Sequence, residues 1–275
     1  MPEGHTLFRL ARDLDAAFAG TRPRVSSPQG RFVDGAALLD GRELVEARSW
    51  GKHLFVEFAG DAVLHVHLGL IGTFTLDANG WTGEVPVVGQ VRLRLETDEH
   101  IADLRGPTLV AVVAPEEVLA VTNRLGPDPL RPDADPDRAW ARISRSARPV
   151  AELLMDQSVV AGVGNVYRCE VLFRQRVAPL RPGHEIRRAT WRAIWDDLVA
   201  LMPLGVATGR IVTVPEQVAE VERSLAAGIP VHLTERESAV YRRAGMPCPT
   251  CGSRVRTQVV AGRNLFWCGR CQRRR

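Results

Sequence analysis

The sequence predicts an α+β protein in three successive parts: an antiparallel β-sandwich or barrel led by one helix, then a helical region, then a small cysteine-tied ribbon. Three observations predict it. Apolar residues recur with a period of two between about residues 24 and 115 and with a helical period further on, and four of the five cysteines form two C-x-x-C pairs near the end. At 275 residues and 45% hydrophobic content, the chain suffices for about two cores. No run approaches the roughly 18 consecutive apolar residues of a membrane span, and the N-terminus has no apolar leader segment, so a soluble, cytoplasmic protein is expected.

In the leading helix, Leu7, Leu10, Ala11, Leu14, Ala17 and Phe18 fall on one face and Arg9, Arg12, Asp13 and Asp15 on the other, with Thr6 as the expected cap. Pro2 and Glu3 therefore precede a docked helix. Strands follow at Leu54, Val56 and Phe58, at Leu64, Val66 and Leu68, and at Val91, Leu93 and Leu95, where apolar residues alternate with Arg92, Arg94 and Glu96. Gly and Asn-Gly breaks separate these runs. Residues 124–138 carry four prolines and seven charged side chains, which neither a strand nor a helix interior accepts.

Helices are then expected from Val150 to about Val160, from Asn165 to about Arg174 after a turn at Ala161 to Gly164, from His184 to Met202 stopped by Pro203, and from Pro215 to Ala227. The expected organisation is an N-terminal domain over 1–123, a linker over 124–138, a helical domain over 139–235 and a ribbon over 236–275.

Charge is unevenly spread. From Arg236 to Arg275 there are ten arginines and one acid, a balance of +9, while the other 235 residues hold 26 basic and 31 acidic groups, a balance of −5. A polyanion-binding surface is thus expected at the C-terminus. Lys52 is the sole lysine among 36 basic residues, and reads either as a chance surface residue or as one kept because a compact ammonium is needed where a planar guanidinium will not serve.

Cys248 and Cys251, then Cys268 and Cys271 after sixteen intervening residues, have the spacing of a closed tetrahedral zinc site with no open position for chemistry. Between the pairs, a bend at Ala261-Gly262 places Arg263 near a hairpin tip, suited to a phosphate contact or simply solvated. Asn165 opens a helix after a glycine turn and reads first as a cap, second as an anion ligand. At the other end, a proline behind the initiator methionine can become the chain terminus. Its secondary amine would be partly unprotonated near neutral pH and able to form a Schiff base with a sugar aldehyde; alternatively Pro2 merely follows Met1.

These features extend into a longer pattern. Met1-Pro2-Glu3, Gly51-Lys52-His53-Leu54, His67 to Gly72, Asp103-Leu104-Arg105, Arg124 to Leu130, the 153–167 segment, Val240-Tyr241 leading to Pro247-Cys248, and Gly262-Arg263 before Phe266-Trp267-Cys268 occur in register along essentially the whole chain. Together they resemble the formamidopyrimidine-DNA glycosylase and endonuclease VIII family, and the MPEGHT opening resembles its actinobacterial branch near endonuclease VIII.

The resemblance implies an N-terminal β-sandwich with a leading helix, a helix-two-turns-helix domain and a C-terminal zinc ribbon. It implies a bifunctional DNA glycosylase and abasic-site lyase of base excision repair, with Pro2 attacking the deoxyribose C1′ and Glu3 supplying the acid and base steps. Lys52 would bind phosphates flanking the lesion, Asn165 and Arg263 other backbone phosphates, with His67 and Tyr241 as further contacts. Leu70 falls at the family's apolar wedge and Arg105 at its arginine near the orphaned base. One structural Zn²⁺ would sit on Cys248, Cys251, Cys268 and Cys271.

The implied partner is damaged DNA, as duplex, bubble or single strand, bound by a monomer in the bacterial cytoplasm and at its nucleoid. The sequence departs from many relatives at His5, where they have Pro, and at Thr6, where they have Glu. Pro107 stands where the oxidised-purine branch has phenylalanine, which points to oxidised pyrimidines. Two rival readings are a non-catalytic binder of damaged or single-stranded DNA and a zinc-ribbon transcription or RNA factor; the second leaves residues 1–72 unexplained.

Overall fold

The computed structural model describes residues 2–78, 86–231, 233 and 237–273. The Asn79-Gly80 break and the tail residues Arg274 and Arg275 lie outside them. The chain forms two compact units, residues 1–124 and 125–275. No helix among the described residues is long and apolar enough to cross a membrane.

Unit 1 opens with helix α1 (Gly4–Phe18), which buries Leu7, Leu10, Leu14 and Phe18 at the expected spacing. Its cap is Glu3 rather than Thr6. Glu3 arrives with extended backbone, φ −123° and ψ −179°, and the Thr6 N–H closes the first turn on the Glu3 carbonyl at 2.9 Å.

Among its described residues the period-two region forms eight strands: β1 (Arg24–Ser26), β2 (Leu44–Trp50), β3 (His53–Phe58), β4 (Ala62–His67), β5 (Thr73–Ala78), β6 (Val91–Glu96), β7 (His100–Arg105) and β8 (Leu109–Val113). They make two antiparallel four-stranded sheets, ordered β1-β6-β7-β5 and β2-β3-β4-β8. Leu93, Leu95, Ala102 and Leu104 of the first sheet share one core with Leu54, Val56, Leu64 and Val66 of the second, closed by the apolar face of α1. The arrangement is thus a sandwich rather than a barrel. Two short helices have no counterpart in the periodicity, α2 (Val33–Leu39) and α3 (Pro115–Thr122). The second lays Val118 over Phe55 and Val63 on the outer face of the β2-β3-β4-β8 sheet.

Unit 2 begins inside the proline-rich stretch. Leu125 and Asp128 are buried, Gly126 N–H donates to the Gln157 carbonyl at 2.9 Å, and a Cβ on Gly126 would come within 2.3 Å of the Val159 carbonyl. Helix α4 (Pro136–Ile143) then starts with proline at its first position, where no N–H is needed, under an Asp135 cap. The expected helix from Val150 to Val160 is shorter: α5 spans Val150–Leu153. Polar side chains end it by taking over backbone groups. Asp156 accepts from the Ser158 N–H at 3.0 Å, while Gln157 donates to the Met155 and Val163 carbonyls and accepts from the Gly162 N–H.

After these turns come α6 (Asn165–Arg174), α7 (Arg188–Thr208) and α8 (Pro215–Ala226). Pro203 does not stop α7, which runs on to the left-handed Gly209. The carbonyl that proline leaves without a helical partner belongs to Val199, a residue 41% exposed, while Met202 and Leu204 are buried. Strands β9 (Val255–Val260) and β10 (Arg263–Cys268) form the ribbon hairpin. Val255, Leu265 and Phe266 join the same core as Tyr167 and Trp191, so the ribbon is roofed by the helical module.

Candidate active site and nucleic-acid interface

In unit 1, Pro2 is half-buried immediately ahead of a helix anchored along its whole length, and Glu3 is fully buried. Glu3 occupies the helix N-cap without making a side-chain capping bond, and the positive end of the helix dipole favours a carboxylate there. The departures at positions 5 and 6 form one local pair: His5 Nε2 lies 3.2 Å from the Thr6 hydroxyl.

Lys52 sits in the two-residue turn between β2 and β3. Gly51 takes φ +59° at the first central position, where a type II′ hairpin demands a glycine. Beside this turn, the structure assembles three histidines, His53 from one strand and His65 and His67 from the next. His53 and His65 share a hydrogen bond at 2.9 Å, and the His53 and His67 rings stand 5.1 Å apart. His65 stacks on Phe55 at 4.7 Å. Burial lowers all three pKa values. His53 falls to about 4 through burial and then the neighbouring His65 and His67; His65 falls to about 4 through burial and then His67, partly opposed by Glu117. His67 is lowered by burial and then by the Lys52 ammonium.

The row is therefore neutral at pH 7. His67 Nδ1 lies 3.1 Å from the Gly69 backbone nitrogen and 2.9 Å from the Thr108 hydroxyl, which together hold the ring in place. Thr108 braces the same residue, its hydroxyl donating to the His67 carbonyl at 3.0 Å. The H-x-H spacing of His65 and His67 puts them on one strand face, but placing His53 against them required the β3–β4 register.

The β4–β5 turn carries Leu70 and Ile71, 47% and 85% exposed, so neither is core. The flanking glycines are steric necessities: a Cβ on Gly69 would lie 2.3 Å from Thr108 and one on Gly72 2.2 Å from the Leu68 carbonyl. Arg105, by contrast, is held on its own sheet. It donates to Asp103 at 2.8 Å, to the Thr75 hydroxyl at 3.1 Å and to the Val88 carbonyl at 3.1 Å. The buried Arg94 grips the same carboxylate from the other side at 2.7 Å.

In unit 2, Asn165 is buried and its amide donates to the Asn264 carbonyl at 3.0 Å, while Arg168 donates to its oxygen. The bond joins the start of α6 to the residue after Arg263. Ala261 and Gly262 have φ +52° and +70°, a type I′ turn that sets Arg263 at the hairpin tip. Tyr241 is buried edge-on against Phe266 at 5.4 Å, with Arg242 over its ring. Its backbone is fixed by Glu170, a fully buried carboxylate on α6 that accepts from the N–H groups of Ala239, Val240 and Tyr241 at 2.8 to 2.9 Å and from the Thr213 hydroxyl at 3.1 Å. Nothing in the sequence marked Glu170, because a glutamate within a helix is ordinarily solvated.

The four ribbon sulfurs all lie within 4.8 Å of one another, the one such cluster of possible metal ligands among the described residues. Cys248 and Cys271 are 3.8 Å apart and Cys251 and Cys268 3.5 Å, against the ~3.8 Å between sulfurs on a tetrahedral ion with ~2.3 Å bonds. The Ser253 backbone N–H draws Cys251 down to about 6, while burial and neighbouring thiols push Cys271 up. Thiolates crowded this closely penalise one another, and a dication relieves that repulsion. Gln272 braces the knuckle, accepting from Cys268 N–H at 2.9 Å and donating to the Val177 carbonyl at 3.0 Å.

Comparison with known proteins covers both units. Residues 1–109 match the formamidopyrimidine-DNA glycosylase N-terminal domain, residues 125–216 the formamidopyrimidine-DNA glycosylase H2TH domain, and residues 245–274 a zinc finger found in FPG and IleRS. The chain is 52% identical over 275 residues to Endonuclease 8 1 of Mycobacterium tuberculosis, covering 99% of this chain and 100% of that protein. It is 32% identical to the formamidopyrimidine-DNA glycosylase of Thermus thermophilus, covering 99% and 97%.

Among solved structures, the Lactococcus lactis Fpg complex with abasic-site DNA shares the fold, with TM-score 0.80, 20% identity, and 99% and 100% of the two chains covered. The Thermus thermophilus Fpg structure gives 0.75, with 28% identity and 98% of each chain covered. Fold and sequence together define a DNA-binding glycosylase of base excision repair. The chain belongs to the formamidopyrimidine-DNA glycosylase and endonuclease VIII family.

Proposed function

We propose that the protein excises oxidised bases, pyrimidines foremost, and cuts the strand at the vacated sugar through a Schiff base on Pro2. The observation that carries this reading is the chain's poverty in amines. With Lys52 the sole lysine, the amines able to condense with a sugar aldehyde are that side chain and a terminal Pro2. Pro2 is the one next to a buried carboxylate on an anchored helix.

With Met1 removed, the Pro2 nitrogen lone pair attacks C1′, and the glycosidic bonding pair leaves with the base, which takes a proton. Glu3 protonates O4′ as the sugar ring opens, leaving an iminium at C1′. The iminium acidifies C2′. Loss of that proton expels the 3′ phosphate, a second elimination expels the 5′ phosphate, and water returns the free amine.

Lys52 and His67 hold phosphates beside the lesion, and Asn165 and Arg263 hold others, with Tyr241 as a lesser contact. Leu70 enters the gap left by the flipped nucleotide and offsets part of its lost stacking, and Arg105 stands near the orphaned base. Cys248, Cys251, Cys268 and Cys271 hold one Zn²⁺, which fixes the ribbon and takes no part in bond breaking. The enzyme works as a monomer in the bacterial cytoplasm, on duplex, bubble or single-stranded DNA.

The test is excision from oligonucleotides each carrying one oxidised pyrimidine, one oxidised purine or one abasic site. The expected result is base release and strand cleavage, fastest for pyrimidines. Tight binding to all three without release would favour a non-catalytic damage sensor instead, the reading that His5 and Thr6 keep open.

A further inference from the structure

We propose that the base of the cysteine ribbon carries a second phosphate-binding groove, formed by Arg254, Arg256, Arg270 and Arg273, that grips the sugar–phosphate backbone of DNA apart from the Arg263 hairpin tip. The proposal rests on the reading that the ribbon contacts DNA. Its first support is the chemistry of the groove wall. A groove of about 540 Å³ is lined by these four arginines together with Gly245, Ser253, Val255 and Gly269, and among the described residues no Asp or Glu side chain lines it.

Two other grooves offset part of their positive charge with acids. One of about 810 Å³ sets Glu216 and Glu237 beside its arginines, and one of about 410 Å³ sets Glu96 beside Arg24 and Arg94. Among the described residues, none of the four ribbon arginines makes a salt bridge, whereas Arg94, Arg105, Arg148 and Arg174 elsewhere all do. Guanidinium groups converging without a counter-charge repel one another, and an anion with several oxygens removes the repulsion while accepting paired N–H bonds.

The second support is that the groove is shaped from separate segments. Arg254 and Arg256 come from the start of β9, Arg270 and Arg273 from the last cysteine knuckle. Arg254 is fixed by donating to the Gly245 carbonyl at 3.0 Å. A Cβ on Gly269 would come within 2.7 Å of the Arg256 guanidinium, so the glycine lets that side chain lie flat against the knuckle.

Spacing suits a DNA strand. Arg263 pairs with Val260, and Arg256 lies four residues further down β9, about 13 Å at strand rise. That is about four base-pair steps of rise along the axis of a duplex. The groove therefore extends a track that begins at the tip.

The experiment uses the full-length protein with the triple change Arg256→Gln, Arg270→Gln and Arg273→Gln, and Arg254 left in place. Metal content and thiol reactivity equal to the parent's certify the ribbon. Affinity for an undamaged duplex and for an abasic-site duplex is then measured against salt. Every phosphate that the protein no longer neutralises flattens the plot of log K against log salt by about 0.9. Two such phosphates weaken binding about 60-fold at 0.1 M relative to 1 M, equally for both duplexes.

Single-turnover cleavage at saturating enzyme is expected to stay unchanged. A parental slope in the triple variant, while Arg263→Gln flattens its own, overturns the groove alone. Parental slopes in both variants overturn the ribbon's DNA contact as well. If inorganic phosphate at constant ionic strength binds the parent better than the triple variant, but the slopes agree, the groove takes a small anion and the DNA proposal is wrong.

Discussion

Acidifying the protein should destabilise unit 1 through His65. His65 is 4% exposed and its pKa is lowered from 6.5 to about 4, chiefly by burial. Between these two values the unfolded chain binds a proton that the folded chain refuses, so the stability is fully present above pH 6.5 and is lost as pH falls toward 4. At pH 4.5 the loss is about 2.5 kcal/mol for this one group, a large share of a typical domain stability.

The perturbation is His65→Gln, which keeps a hydrogen-bonding partner for His53 and does not titrate. Denaturant unfolding at pH 7.0 and 4.5, followed by NMR signals of unit 1 residues, gives the two differences. The parent should lose about 2.5 kcal/mol more than the variant, and the His65 ring protons should titrate near 4 in NMR spectra. An equal loss in both proteins would show that His65 is charged or solvent-accessible in the fold, and the neutral histidine row would be wrong.

Other perturbations test the remaining parts. Lys52→Arg should lower turnover by about tenfold or more despite keeping the charge, since a planar fork must replace an ammonium on a two-residue turn; unchanged turnover would remove the argument from the lone lysine. Leu70→Ala should slow excision from duplex roughly tenfold, the worth of about 1.5 kcal/mol of apolar contact, and leave single-strand cleavage unaltered, as compared in paired time courses. Gly72→Ala should cost about 1–3 kcal/mol in thermal or chemical unfolding, because the new Cβ meets the Leu68 carbonyl at 2.2 Å. Metal removal by a chelator should make four thiols reactive, leave the buried Cys169 protected and abolish DNA binding in a mobility-shift assay.

Much of the architecture was legible because its signals are local. The helical spacing from Leu7 to Phe18, the alternation from Val91 to Leu95 and the paired cysteines each report a periodicity or a fixed ligand geometry. The Ala261-Gly262 bend was legible through Gly262, whereas the left-handed conformation of Ala261 is one that alanine seldom adopts. What escaped depends on tertiary partners.

The helix after Val150 ends early because Asp156 and Gln157 bond the surrounding turns, and α7 passes Pro203 because its neighbours in the helix are buried. Of the candidate residues, Leu70 is exposed, while Asn165, Tyr241 and Arg105 are engaged in internal contacts. Glu170 and the His53–His65 pair were invisible, since sequence distance hides a carboxylate that collects N–H groups some 70 residues away and two imidazoles joined only by strand register.

The central claim concerns which of two amines meets the sugar, and borohydride reduction on an abasic-site duplex, followed by peptide mass mapping of the trapped protein, asks that directly. The expected adduct lies on the N-terminal peptide, at the nitrogen of a Pro2 freed of methionine, and disappears in Pro2→Thr. An adduct on the Lys52 peptide, or full strand cleavage by protein that retains Met1, would contradict the account.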